Sequence, residues 1–65
     1  MTLSEKLARN LRARRGSVTQ EDFARKLGIS RATLNRLESA SQNTTLNTLD
    51  QIIKSLRCSV GDLFD

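Results

Sequence analysis

TQEDFARKLGISRATLNRLE, residues Thr19 to Glu38, contains two short helical stretches that meet at one glycine. In the first, Phe23, Ala24 and Leu27 recur at helical spacing, and Thr19 stands where an N-cap side chain takes a first-turn N–H. Gly28 ends that stretch, because glycine enters positive φ without steric cost and lets the chain turn sharply. Ser30 then caps the second stretch, which turns Leu34 and Leu37 inward, with Ile29 plugging the corner. At about 100° per residue, Ala32 and Arg36 point almost directly outward, with Arg31 and Asn35 on one flank and Thr33 on the other. Ser30 and Glu38 lie beside the inner edge. The outward face therefore carries guanidinium, amide, hydroxyl and methyl groups and no carboxylate.

The flanking sequence reads as further helices. Leu3, Leu7 and Leu11, with Ala8, make one apolar stripe on a helix from about Leu3 to Arg14, and Thr2 followed by Glu5 has capping-box spacing. Gly16 and Ser17 break that pattern. After Glu38 the segment SASQNTT is polar and aperiodic, a loop, and Thr44 or Thr45 can cap a fourth helix. Leu46, Leu49, Ile52, Ile53 and Leu56 form its stripe, and Lys54 and Arg57 near its end suit the negative helix pole. A last turn from Val60 to Phe64 offers Val60, Leu63 and Phe64 as a lid. The expected fold is all-α, a single domain over residues 1–65 with five short helices around one core.

At 65 residues the chain is near the lower limit for a self-sufficient apolar core, so a partner subunit would help it. It has no apolar run of membrane-spanning length and no secretory leader pattern, which predicts a cytoplasmic protein without a membrane partner. Eleven Lys and Arg, eight of them arginine, oppose seven Asp and Glu for a net charge of +4, and a polyanion is the natural partner for that balance. Histidine is absent, the one cysteine, Cys58, lies on an apolar stretch, and the carboxylates of Glu21 and Asp22 suit a helix first turn. No residue set has metal-ligand spacing. These features predict neither an enzyme nor a metal or cofactor site.

The outward face of the second stretch has a chemistry that fits the major groove of DNA. An arginine fork matches the O6 and N7 acceptors of guanine, an asparagine amide both donates to and accepts from adenine, and alanine permits close approach or contact with a thymine methyl. Gln20 opens the preceding helix, where free N–H groups and the positive pole favour a phosphate. A plain solvated surface is the competing reading of such a face.

The pattern resembles the Cro/repressor helix-turn-helix family, also called the XRE family. Thr19 and Gln20 open the motif, Ala24 stands where the helices touch, Gly28 makes the turn, Ile29 follows it, Leu34 and Leu37 point inward and Glu38 closes it. The downstream NTTLNTLDQIIKSLRCSVGDLF is similar to the family's fourth helix and closing segment. The resemblance implies a compact lambda-repressor-like fold and a dimeric, sequence-specific regulator of transcription, usually a repressor, on double-stranded DNA. It implies base-reading at Arg31, Ala32 and Arg36, base or backbone contacts at Thr33 and Asn35, and phosphate contacts at Gln20, Asn43, Thr44 and Asn47. It further implies an ion pair between Arg12 and Glu38, and a homodimer contact around Cys58, Ser59 and Gly61.

Three departures stand out. The Gly16-Ser17-Val18 link is one residue longer than usual, which shifts the register of Arg12, Arg14 and Arg15. Ser39 and Ala40 stand where relatives commonly have a glycine after the third helix, and Thr44 replaces a frequent proline. Other functions compatible with the same residues are an antitoxin or restriction-modification controller that represses its own operon and grips a protein partner such as a toxin, and a protein-only adaptor. Antitoxins of this family generally carry an extra tail, so the end at Asp65 favours the plain regulator among these expectations.

Overall fold

The computed structural model of the chain describes residues 1–40 and 44–65. Among these residues the chain is all-helical, in the order α1 (Leu3–Arg15), α2 (Gln20–Leu27), α3 (Arg31–Glu38), α4 (Leu46–Leu56) and α5 (Val60–Leu63). Each start is made by a hydroxyl that accepts the N–H three residues on, the site where a helix leaves donors unsatisfied. Thr19 takes the Asp22 N–H at 3.1 Å, Ser30 that of Thr33 at 3.0 Å, and Thr45 that of Thr48 at 3.1 Å. Thr45 rather than Thr44 is thus the cap of α4. Thr2 and Ser59 form reciprocal boxes with Glu5 and Asp62. The Thr2 N–H and hydroxyl hold the Glu5 carboxyl below its ordinary pKa, and the Ser59 N–H and hydroxyl, with Arg14 nearby, do the same for Asp62.

The ends follow backbone sterics. Gly28 closes α2 at φ +74°, the left-handed region where glycine carries no Cβ penalty. After α3, Ser39 remains right-handed and Ala40 takes φ +56°, so alanine occupies the left-handed position that a glycine would relieve. Arg57 does the same at the end of α4, at φ +55°.

The core joins Leu7, Ala8 and Leu11 of α1 to Phe23, Ala24, Leu27, Leu34, Leu37, Ile52 and Leu63. Ile29, Leu49, Ile53, Leu56, Cys58 and Phe64 pack around it half-buried. Three expected core residues lie outside it: Leu3 is 66% exposed, Leu46 84% and Val60 52%. Each is the first residue of its helix. Helical side chains lean toward the N-terminus, so a first-turn side chain with the right angular phase still projects beyond the end of the packed face.

α3 packs against α1 and α2, α4 against α2, and α5 against α1. Asn10 anchors the last contact by donating from Nδ2 to the carbonyls of Leu63 at 2.9 Å and Lys6 at 3.0 Å. The inner face of α3 is consequently fixed, and its outer face is left to solvent.

Candidate nucleic-acid interface

α3 is held in its middle by Leu34 and Leu37, 0% and 4% exposed. Full burial of one such leucine stabilises by about 1.5–3 kcal/mol. Burying those two positions dictates what the helix shows outside: Arg31, Ala32, Asn35 and Arg36 are all exposed, as two rows one helical turn apart. Thr33 is half-buried, and its hydroxyl accepts from Ser30 Oγ at 2.8 Å, which fixes its methyl and hydroxyl relative to the helix start.

The charges are arranged unevenly over the surface. Arg25 of α2 is answered by Glu21 at 3.6 Å and Asp22 at 3.4 Å, and Lys54 of α4 by Asp50 at 3.0 Å. On α3 the first turn has no acidic residue, and the single carboxylate, Glu38, is 4% exposed. Among the described residues, the side chains of Arg31 and Asn35 have neither a hydrogen bond nor an ion pair. The donors of Arg31 and Asn35 are therefore available to an external acceptor.

Glu38 is the polar centre of the helix packing. Arg15 Nε donates to its carboxylate at 2.9 and 3.2 Å, and Gln20 Nε2 donates to Oε1 at 3.0 Å. Arg12 does not pair with this carboxylate, as the resemblance implied; its Nη1 donates to the main-chain carbonyl of Glu38. The reason is helical phase. Arg15 follows the buried Leu11 by one turn and so lies along the core edge, whereas Arg12 is rotated by about 100° from Leu11. One buried carboxylate thereby ties α1, the start of α2 and the end of α3 together.

A family model for the Cro/C1-type helix-turn-helix DNA-binding domain matches residues 7–65. The chain belongs to this Cro/C1-type family. Over 42 residues it is 43% identical to antitoxin HipB of Escherichia coli strain K12, covering 65% of this chain and 48% of HipB. Over 45 residues it is 38% identical to the plasmid copy control protein CopR of Streptococcus agalactiae, covering 69% of this chain and 49% of CopR. The chain spans about half the length of these curated relatives. No solved structure matches it.

Within the Cro/C1-type domain, α2 and α3 are the helix-turn-helix. Gln20 is half-buried at the start of α2, and one donor of its amide is committed to Glu38. Its second amide hydrogen, and the first N–H groups of α2 that the Thr19 cap leaves open, remain for an external anion. Thr44 is half-buried before α4 and Asn47 is exposed in its first turn, while Asn43 lies outside the described residues. Cys58 packs half-buried against the core, Ser59 spends its hydroxyl on the α5 cap, and Gly61 is exposed. Arg15 is turned inward to Glu38 and to the Val18 carbonyl at 3.0 Å. Arg9 donates to the Asp65 carbonyl at 3.1 Å.

Sequence reasoning missed three polar residues that tie the helix-turn-helix to its neighbours: Arg15 through Glu38, Gln51 through the Gly28 carbonyl and Ser55 through the Leu27 carbonyl. Arg15 had a usable signal, one turn beyond Leu11. Gln51 and Ser55 had none, since a polar residue at a helix edge reads the same whether it meets water or a carbonyl. Among the described residues no helix is long and apolar enough to cross a membrane, and no group of three or more His, Cys, Asp and Glu could hold a metal ion.

Proposed function

We propose that this Cro/C1-type chain is a sequence-specific transcriptional regulator, a repressor, acting in the cytoplasm as a single domain over residues 1–65. It binds a pseudo-palindromic operator as a two-fold dimer with α3 in the major groove. The observation that carries the reading is the outer face of α3, where Arg31, Ala32, Asn35 and Arg36 are exposed while the helix's own carboxylate is buried. From Arg31 to Arg36 the helix rises about 7.5 Å, enough to span two to three base pairs. Arg31 and Arg36 read guanine edges, Asn35 an adenine edge, Ala32 a thymine methyl, and Thr33 a base or the adjoining backbone. Gln20, Thr44, Asn47 and Asn43 hold phosphate and set the register.

In this reading the dimer contact lies at Cys58, Ser59 and Gly61, and the exposed Val60 beside them supports it. Two copies then present their α3 helices to half-sites about 34 Å apart. Selection from a pool of random duplexes with the purified protein tests the whole reading. It should enrich an inverted repeat with half-sites one helical turn apart; a pool with no enriched sequence would refute it.

The similarity to antitoxin HipB favours a second reading, an antitoxin or controller that represses its own operon and also binds a protein such as a toxin. Co-expression with the product of an adjacent gene distinguishes them. A stable complex that changes operator affinity supports the antitoxin, and unchanged affinity supports the plain repressor.

A further inference from the structure

The connection between α2 and α3 is short, and the two helices it joins do not satisfy all of its carbonyls. The Gly28 N–H donates to Arg25 at 3.2 Å and the Ile29 N–H to Ala24 at 3.0 Å, the paired closure of a helix on a left-handed residue. The carbonyls of Leu27 and Gly28 receive no backbone donor among the described residues. Both are taken by α4. Gln51 Nε2 donates to the Gly28 carbonyl at 2.6 Å, and Ser55 Oγ to the Leu27 carbonyl at 3.4 Å.

Gln51 and Ser55 are four residues apart, on one face of α4, so that helix holds two consecutive peptide groups of the turn. Gly28 is shaped for the contact in two ways. Its φ of +74° suits only glycine well, and a Cβ there would stand 2.5 Å from Gln51 Nε2. Without a side chain at residue 28 the amide can close on the carbonyl.

We propose that Gln51 is a positioning residue for DNA recognition, acting through the Gly28 carbonyl to fix the peptide plane from which α3 departs. The inference rests on the reading of α3 as the DNA-reading helix. The far end of α3 is fixed independently, by Glu38 with Arg15, Gln20 and Arg12, and its middle by Leu34 and Leu37. The near end has the Ser30 cap and the α4 clamp. Loss of Gln51 therefore lets the near end pivot, which displaces Arg31 more than Arg36. Hydrogen bonds to a base edge weaken steeply with misalignment, so a small pivot is felt at one base pair.

The test uses the full chain, Gln51→Ala, and the doubles of Gln51→Ala with Arg31→Ala and with Arg36→Ala. The probes are the duplex recovered from the random pool and a scrambled duplex of the same composition. Gln51 is exposed, so its truncation opens no core cavity, and thermal unfolding should still show a cooperative helical domain. Gln51→Ala should bind the recovered duplex about 3- to 10-fold more weakly and the scrambled one as before. That loss should vanish in the Arg31→Ala background and persist with Arg36→Ala, a coupling that a general loss of stability does not produce.

Unchanged affinity for the recovered duplex, equal loss on both duplexes, or the same loss with and without Arg31 would each overturn the proposal. So would Gln51 side-chain amide protons that exchange with water as fast as those of a free glutamine. If the unmodified chain enriches no duplex, the DNA reading itself has failed, an outcome independent of any Gln51 variant.

Discussion

Replacement of Arg15 by alanine should be the most damaging loss of any single arginine in the domain. Its Nε makes both hydrogen bonds from an arginine to the Glu38 carboxylate, which is 4% exposed. Breaking a buried pair from one side costs about 3–5 kcal/mol, because the remaining charge is left without compensation. Two features reduce that figure here: Gln20 still donates at 3.0 Å, and the Arg15 side chain is 24% exposed, so its removal admits water. The expected cost is about 2–3 kcal/mol, or a fall in melting temperature of roughly 10–20 °C for a domain of this size.

Arg12→Ala removes one donor to a main-chain carbonyl from an exposed side chain and should cost only about 1 kcal/mol. Adding Glu38→Ala to Arg15→Ala removes the stranded anion, so the double variant should lose less than the sum of the singles, by at least about 1 kcal/mol. Urea unfolding followed by circular dichroism measures the unmodified chain, the three single variants Arg12→Ala, Arg15→Ala and Glu38→Ala, and the double. A larger loss for Arg12→Ala than for Arg15→Ala, or strict additivity of the double, would refute the assignment of the buried pair.

Ala40→Gly should stabilise by about 0.5–1 kcal/mol, since relief of a left-handed alanine exceeds the added freedom of the unfolded chain; Ser39→Gly, at φ −95°, should destabilise in the same melting assay. Asn10→Ala should cost about 1–2 kcal/mol and raise amide exchange in α5, because it frees the Leu63 carbonyl. Glu5 and Asp62 have carboxyl pKa values below their ordinary ones in the folded chain. Their contribution is therefore complete above the unfolded values and is lost as pH falls through the lower folded ones, so stability should hold down to about pH 5 and decline below it. Glu5→Gln with Asp62→Asn should flatten part of that decline in melts recorded across pH.

The sequence was most informative where one residue type has one structural use. Thr2, Thr19 and Ser30 are caps because their hydroxyls reach first-turn N–H groups, and Gly28 is a turn because glycine takes φ +74° without a Cβ penalty. The outer face of α3 followed from the phase of Leu34 and Leu37. Phase does not say how far along its axis a helix is covered, which is why Leu3, Leu46 and Val60 were misplaced into the core. Phase does separate Arg15, one turn beyond Leu11, from Arg12, but the family resemblance pointed to Arg12; both reach Glu38, Arg15 at its carboxylate and Arg12 at its carbonyl. The α4 clamp on the turn was out of reach, because it joins residues 23 positions apart through a side-chain amide and a carbonyl.

The most direct test is the ratio of affinities for the selected and the scrambled duplex, measured by fluorescence anisotropy at one salt concentration for the unmodified chain and for Arg31→Ala. If guanidinium on the outer face of α3 reads a base, the variant should lose about 1–3 kcal/mol on the selected duplex, roughly 5- to 150-fold, and nothing comparable on the scrambled one. Equal loss on both duplexes would contradict base reading and reduce Arg31 to a backbone contact.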